Sequence, residues 1–349
     1  MALFFDIRRA EVERVRVPLK APFVTALGRK THTENVRLRL TLGGGARGTG
    51  EASSSVVQAH LKPERLEAEL RRLGRRAMGQ DARRWRRLAA AAFECAGEAT
   101  AAAAAFECAV LDALTQAVGV PLCRMLGGRA DSVTTDITLS AWPPEQARRA
   151  AADAVRQGFR TLKIKVGSAD GPAADLARVR AAAAARPKPA VILDGNQGLS
   201  GRDALRLVRA CLDDGIRVEL FEQPLPREDA DGMRRLSRRC PVPVAADESA
   251  RTPAEALEAL RSGAAGAVNV KVAKTGVAAS LEIVALARAA GAPLMIGCMQ
   301  ETSLGLSASV HLACGTGAFR WADLDSDVLL AEPRPEGRYR RDGPVVTVF

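Results

Sequence analysis

The stretch TLKIKVG, residues 161–167, decides how the rest of the chain is read. It reads as a short buried strand that carries two lysines, two residues apart. Runs of the same texture recur after residue 130: VTTDITL (133–139), AVILD (190–194), VELFE (218–222), VPVAAD (242–247), AVNVK (267–271), PLMIG (293–297) and FRWAD (319–323). With 161–166 they make eight, at intervals of about 23–29 residues. Amphipathic segments such as PEQARRAAADAVRQG and DALRLVRACLDDG lie between them. Strands alternating with helices at this spacing imply a parallel sheet, and eight units close into a barrel. The fold class is therefore α/β, a (β/α)8-type, modified TIM barrel over residues 128–325.

The texture before it differs. NVRLRLTL (35–42) alternates strictly, with Val36, Leu38, Leu40 and Leu42 on one face, and reads as a half-buried strand. The glycines at 43–45 and 48 spell GxGxxG, but ARGTGEA after them reads as a returning strand, so no dinucleotide fingerprint is expected. Residues 61 to about 118 are helical and alanine-rich, with AAFECA twice, at 91–96 and 104–109. Residues 1–127 thus form an α+β unit. Residues 326–349, with GPVVTVF, are expected to return to it as a last strand.

Composition narrows the class. With 47% hydrophobic and 26% charged residues the chain reads as globular. Seven scattered cysteines without a CxxC pair suggest reduced thiols and a cytoplasmic location. Neither a signal peptide nor a membrane span is expected. The net charge is +11, and the arginines peak in RRLGRRAMGQDARRWRRL (71–88). Without interleaved aromatics this reads as a solvated helical face, so no nucleic-acid partner is expected.

Side chains at the C-terminal ends of barrel strands share one mouth. In chain order those ends carry Lys163 and Lys165, Asp194, Glu222, Asp247 with Glu248, Lys271, the segment GCMQE (297–301), and Asp323 with Asp325. Asp194, Glu222 and Asp247 on adjacent strands make an all-oxygen site suited to a hard dication, with Mg2+ the best candidate. The three histidines, His32, His60 and His311, fall at no strand end, which disfavours zinc and histidine-assisted nucleophiles.

The chain has eight lysines against forty-three arginines, so a lysine pair at a strand end is informative. Arginine stays protonated, whereas lysine gives up its proton when desolvated or placed near positive charge. Lys163 beside Lys165, with a dication close by, is expected to lower a lysine pKa toward working pH. The second and sixth strands lie opposite each other, so Lys165 and Lys271 would flank one substrate carbon. The matching substrate has a carboxylate on the metal, an acidic C–H between the lysines, and a cation at its far end beside Asp323 and Asp325.

The ordered set KIK (163–165), DGNQG (194–198), EQPL (222–225), DES (247–249) and NVKVAKTG (269–276) resembles the enolase superfamily, in its muconate-lactonising subgroup. The first 127 residues resemble its capping domain, with PLKAPFVTALG (18–28) similar to the mobile substrate loop, here taken as 18–33. DLDSD (323–327) resembles the DxD of the dipeptide epimerases, which binds the substrate's α-ammonium group. The resemblance implies Mg2+ held by Asp194, Glu222 and Asp247, one ion per subunit. It implies Lys165 and Lys271 as the acid/base pair, and Lys163 as the stabiliser of an enediolate and tuner of Lys165. The expected reaction is 1,1-proton transfer at the C-terminal residue of a dipeptide. Asp323, Asp325, Thr25, Cys298 and Gln300 are the expected substrate contacts, with Arg29, Lys30 and His32 as further candidates on the loop. A cationic loop would favour an acidic residue such as Glu. Assembly as a homo-oligomer is expected. Two positions depart from the pattern: Val277 replaces the second of a usual glycine pair, and Gln300 lies in the pocket-facing 297–302 loop.

Three related outcomes share the scaffold: N-acylamino-acid racemase, o-succinylbenzoate synthase and muconate cycloisomerase. Their substrates carry no free ammonium group to pair with Asp323 and Asp325. A basic barrel that binds nucleic acid and has lost its chemistry is the alternative of another class.

Overall fold

The structure is a computed structural model describing residues 4–55, 61–332 and 335–349. Strands β1 (Ile7–Thr25) and β2 (Gly28–Leu42) form a long antiparallel hairpin, and β3 (Arg47–Ala52) completes a three-stranded sheet. Val36, Leu38, Leu40 and Leu42 are all buried, as their alternation predicts. Helices α1 (Pro63–Ala77), α2 (Trp85–Ala96) and α3 (Thr100–Val118) cover that face. The alanine-rich α3 approaches β3 so closely that a Cβ on Gly48 or Gly50 would collide with the helix backbone at Ala113 or Ala105. Among the described helices, α3 alone is long and apolar enough to cross a membrane, and 72% of that window is buried inside the fold. Within the arginine cluster, Arg71, Arg72 and Arg83 pair with Glu67, Glu69 and Asp81 beside them, a solvated face.

After α4 (Leu122–Met125), β4 (Ser132–Thr134) precedes the barrel. Its strands and helices follow in strict alternation: β5 (Ile137–Leu139), α5 (Pro144–Arg156), β6 (Thr161–Lys165), α6 (Pro172–Ala183), β7 (Ala190–Asp194), α7 (Gly201–Asp213), β8 (Val218–Glu222), α8 (Ala230–Ser237). The second half comprises β9 (Val244–Ala246), α9 (Pro253–Arg261), β10 (Ala267–Val270), α10 (Val272–Ala289), β11 (Leu294–Ile296), α11 (Ser303–Thr316) and β12 (Phe319–Ala322). The eight strands are parallel and lie in sequence order, β5 to β12. Ile192, Leu220, Ala245, Ala267, Met295 and Trp321 fill the interior, and the helices bury the outer faces. At the seam between β12 and β5, the Asp136 N–H donates to the Ala322 carbonyl at 2.8 Å.

Two expectations need correction. The run 133–139 is not one strand. The chain changes sheets at Thr135–Asp136, where Thr135 N donates to the Pro344 carbonyl and Asp136 N to Ala322. Nor does the last strand join the sheet of the N-terminal unit. β13 (Tyr339–Asp342) pairs with β14 (Val345–Val348), and β14 pairs with β4, since the exposed edge of β4 offers the free ladder. The C-terminal segment does return to the N-terminal unit by other contacts: Lys20 N donates to the Leu329 carbonyl and Ala331 N to the Pro18 carbonyl, both 2.9 Å, Glu336 pairs with Arg37 of β2 at 2.8 Å, and Arg338 pairs with Asp112 of α3 at 3.2 Å. All seven cysteines are free.

Candidate active site

Strands β6 to β10 end in charged residues that the fold buries together. Lys163, Asp194, Glu222 and Asp247 are each at most 2% exposed. Lys163 Nζ stands 2.6 Å from Asp323 Oδ2, 2.8 Å from Glu222 Oε2 and 3.0 Å from Asp194 Oδ2. Lys165 Nζ donates to Asp194 Oδ2 at 2.5 Å, and Lys271 Nζ to Asp247 Oδ2 at 2.6 Å. Burial works against the charge on Lys163, but Asp194, Asp323 and Glu222 outweigh it and hold its pKa well above the ordinary lysine value. Lys271 is raised in the same way, against burial, by Asp247 and Glu222. The carboxylates around them hold both amines charged. Lysine beside lysine is the smaller influence; carboxylates from distant strands dominate.

The carboxylates respond in turn. Asp194 and Asp247 are buried yet held low by the lysines that face them. Glu222 is pushed up to about 7, by burial first and then by Asp194. Each of the three acids faces an ammonium group: Asp194 those of Lys163 and Lys165, Glu222 that of Lys163, and Asp247 those of Lys271 and Lys274. The donor set nonetheless suits a hard dication. Glu248 Oε2 and Asn196 Oδ1 are buried beyond the ends of β9 and β7 without a hydrogen-bond donor. Buried oxygens of this kind require a positive partner.

Several supporting residues escape sequence reasoning. Lys274, 3% exposed, donates to Asp247 Oδ1 at 2.6 Å and to the Asp247 and Asn269 carbonyls. Asn269 Nδ2 donates to Glu222 Oε1 at 2.7 Å. Gln223 Oε1 accepts from Asp247 N and from Ser249 N and Oγ, which fixes the end of β9. The KxxK spacing of 271 and 274 was the one available signal for Lys274.

The cavity above these groups is lined by Lys165, Lys271, Asp323, Asp325 and Asn196 from the barrel and by Leu19, Phe23 and Thr25 from the hairpin. Thr25, Cys298 and Gln300 all line it, as expected. Lys163 lies beneath it. Asp323 accepts from Thr138 Oγ1 at 3.2 Å as well as from Lys163, and Asp325 Oδ2 from Thr138 N at 2.5 Å. Cys298 Sγ and one oxygen each of Asp323 and Asp325 lie within 4.8 Å of one another. Burial and the two aspartates push the Cys298 thiol well above its ordinary pKa, so it stays neutral and is a poor metal ligand. Asp325 is raised to about 7, by burial and then by Asp323, an excess of negative charge that suits a cation. The Gln300 side-chain amide is buried with both polar atoms unpaired, while its carbonyl accepts from Thr33, Asn35 and Ser53.

The loop expected over 18–33 is a paired hairpin, with Phe23 opposite Lys30 and Thr25 opposite Gly28. It is docked over the mouth: Ala141 N donates to the Val24 carbonyl, and Trp142 Nε1 to the Pro22 carbonyl, both at 3.0 Å. Its cations do not reach the cavity. Arg29 is exposed, Lys30 Nζ is held by Ser54, and His32 lies near Glu34, so none of the three lines the cavity. His311 is buried in α11, and His60 lies outside the described residues.

The N-terminal unit also reaches behind Lys271. Glu107 of α3, 1% exposed, accepts from Val277 N at 3.0 Å and Ala278 N at 2.8 Å, capping the helix that resumes after Gly276. Gly276 has φ +73°, and a Cβ there would collide with the Glu107 carboxylate. Val277 needs no such freedom: its side chain packs in the core away from the cavity. Only the first glycine of the usual pair is thus demanded by this geometry.

Comparison with known proteins decides the family. Residues 7–127 match the mandelate racemase/muconate lactonizing enzyme N-terminal domain, and residues 146–348 match the enolase C-terminal domain-like family. The chain belongs to the enolase superfamily. This superfamily member is 38% identical to an aromatic dipeptide epimerase of Herpetosiphon aurantiacus over 337 residues, 97% of this chain and 94% of the relative. Among solved structures it resembles a substrate-liganded L-Ala-D/L-Glu epimerase from Bacillus subtilis at 32% identity and TM-score 0.94, covering 99% of this chain and 96% of that one. It also resembles a dipeptide epimerase from Enterococcus faecalis, complexed with Mg and L-Leu-L-Tyr, at 29% identity and TM-score 0.92, covering 99% and 97%.

Proposed function

We propose that this protein is a Mg2+-dependent dipeptide epimerase that inverts the α-carbon of the C-terminal residue by two-base 1,1-proton transfer. The observation that carries the reading is the content of one cavity: lysines from two strands four places apart, with an aspartate pair at the far wall. The superfamily membership and the epimerase relatives support it.

Asp194, Glu222 and Asp247 would hold the ion, with Glu248 and Asn196 beside them. Bound there, Mg2+ would neutralise the substrate carboxylate and make the adjacent C–H more acidic. Lys165 takes the α-proton from one face, and Lys271 delivers a proton to the other. For the opposite epimer the roles exchange. Lys163, kept charged by its three carboxylate neighbours, places a fixed positive field under the charge that develops on the substrate. Asp323 and Asp325 hold the α-ammonium group of the N-terminal residue. The docked hairpin excludes water.

The ammonium contact distinguishes this reaction from its relatives. Asp325→Asn is expected to lower kcat/KM for a dipeptide by about 10²-fold, since removing one partner of a buried charge pair costs about 3 kcal/mol. For the wild type, N-acetylation of the dipeptide should have a comparable effect. Equal turnover of an N-acylated amino acid and a dipeptide, insensitive to Asp325→Asn, would replace this reading with that of an N-acylamino-acid racemase.

A further inference from the structure

Relatives named above act on residues of different character, so the side chain this cavity accepts has to be read from its own walls. Four cavity residues carry charge: Lys165, Lys271, Asp323 and Asp325. On the proposed reaction, on which this inference rests, all four are committed, two to the reacting carbon and two to the α-ammonium. What remains is uncharged. Leu19, Phe23, Met299 and Leu329 are apolar, and Thr25 and Gln300 are neutral.

The apolar part is one continuous wall. Val15, Val17, Leu19 and Leu330 form a buried cluster, with Phe23 and Leu329 packed against it. The hairpin and the 329–331 segment are tied together there by backbone bonds and by the Leu19–Leu330 bridge. The wall also adjoins the chemistry. The Phe23 ring centroid lies 5.6 Å from Lys165 Nζ, so it borders the carbon that this amine would address. The nearby hairpin cations do not line the cavity: Lys20 and Arg29 are exposed, and Lys30, opposite Phe23, has its Nζ bonded to the Ser54 carbonyl at 2.6 Å and hydroxyl at 2.9 Å.

We infer that the epimerised residue carries an uncharged, apolar side chain seated against Leu19, Phe23 and Leu329, and that dipeptides ending in Glu, Lys or Arg are rejected. A carboxylate against this wall would be desolvated with no free cation among the described lining residues to meet it, and a guanidinium or ammonium group would meet no free acid among them. The acidic preference drawn from the loop's composition is thereby reversed: Arg29 is in solvent, and Lys30, on the face of Phe23, is held by Ser54.

The test is a panel of L-Ala-L-X dipeptides with Mg2+ in D2O, with X as Leu, Met, Phe, Glu, Lys or Arg, read as the rate of α-deuteration at X. The expected result is a kcat/KM at least about 100-fold higher for the best apolar member than for Glu, Lys or Arg, because burying an unpaired charge is penalised far more than a change of apolar shape. Leu19→Arg should then raise the Glu/Leu preference at least about 10-fold. Turnover of Glu, Lys or Arg equal to that of the apolar members would overturn the inference while leaving the epimerase reading intact. An unchanged preference in a folded Leu19→Arg protein that still turns over the panel would overturn the placement of the side chain on this wall. Deuteration of no member would overturn both readings together.

Discussion

Lys165→Ala and Lys271→Ala are each expected to reduce epimerisation by about 10³-fold, within the range that a positioned acid or base contributes. The two variants should fail differently. With Lys165 gone, Lys271 still faces one side of the α-carbon and can remove and return a proton there. That variant should exchange solvent deuterium into one epimer with retention and leave the other untouched. Lys271→Ala should show the opposite handedness. The prediction follows from the sheet order, in which β6 and β10 are four strands apart, and from the shared cavity that both side chains line. NMR of each pure diastereomer in D2O reads it directly. Loss of exchange from both epimers in both variants, with the fold intact, would mean that the lysines act as a unit on one face.

Glu222→Gln is expected to reduce Mg2+ affinity by at least about 100-fold and turnover to a similar or greater extent, because on the proposed assignment it removes one of three anionic ligands from a buried site. Glu222 is the middle acid of the three, fully buried, with Oε1 accepting from Asn269 Nδ2 at 2.7 Å and Oε2 2.8 Å from Lys163 Nζ. The amide keeps the shape and can still accept from Asn269. Calorimetric titration of Mg2+ into substrate-free protein separates binding from chemistry. Saturating Mg2+ should raise the wild-type Tm, as any ligand of the native state does, and should leave the variant's Tm almost unchanged at the same concentration. Equal Mg2+ affinity in both proteins would remove Glu222 from the ligand set.

Much of the barrel and its charged rim was legible because each strand is a short apolar run ended by a residue that has no reason to be buried unless it works there. Asp194, Glu222 and Lys271 announce themselves in this way. What stayed hidden depends on contacts between distant segments. Nothing local in VTTDITL reveals that the chain changes sheets at Thr135, since β-propensity is high on both sides of the break and the partners are Pro344 and Ala322. The surroundings of Lys163 stay hidden for the same reason. Proximity in sequence put Lys163 beside Lys165, whereas three carboxylates from β7, β8 and β12 surround its nitrogen. On the hairpin, composition suggested a cationic lid, but strand alternation puts Phe23 and Thr25 on the cavity side and leaves Arg29 in solvent. Glu107 lies 170 residues from Val277 in the chain, and the only local trace of that cap is Gly276.

The central claim is a proton taken from one face of a dipeptide's C-terminal α-carbon and restored to the other. Its most direct measurement is the wild-type reaction with L-Ala-L-Leu and Mg2+ in D2O, followed by NMR from the first turnovers. Deuterium should appear at the α-carbon of the leucine residue alone, with the L,D epimer forming in step, and chelation of the ion should stop both. Deuterium at the alanine α-carbon, epimer formation without solvent deuterium, or the same rates after chelation would contradict the account.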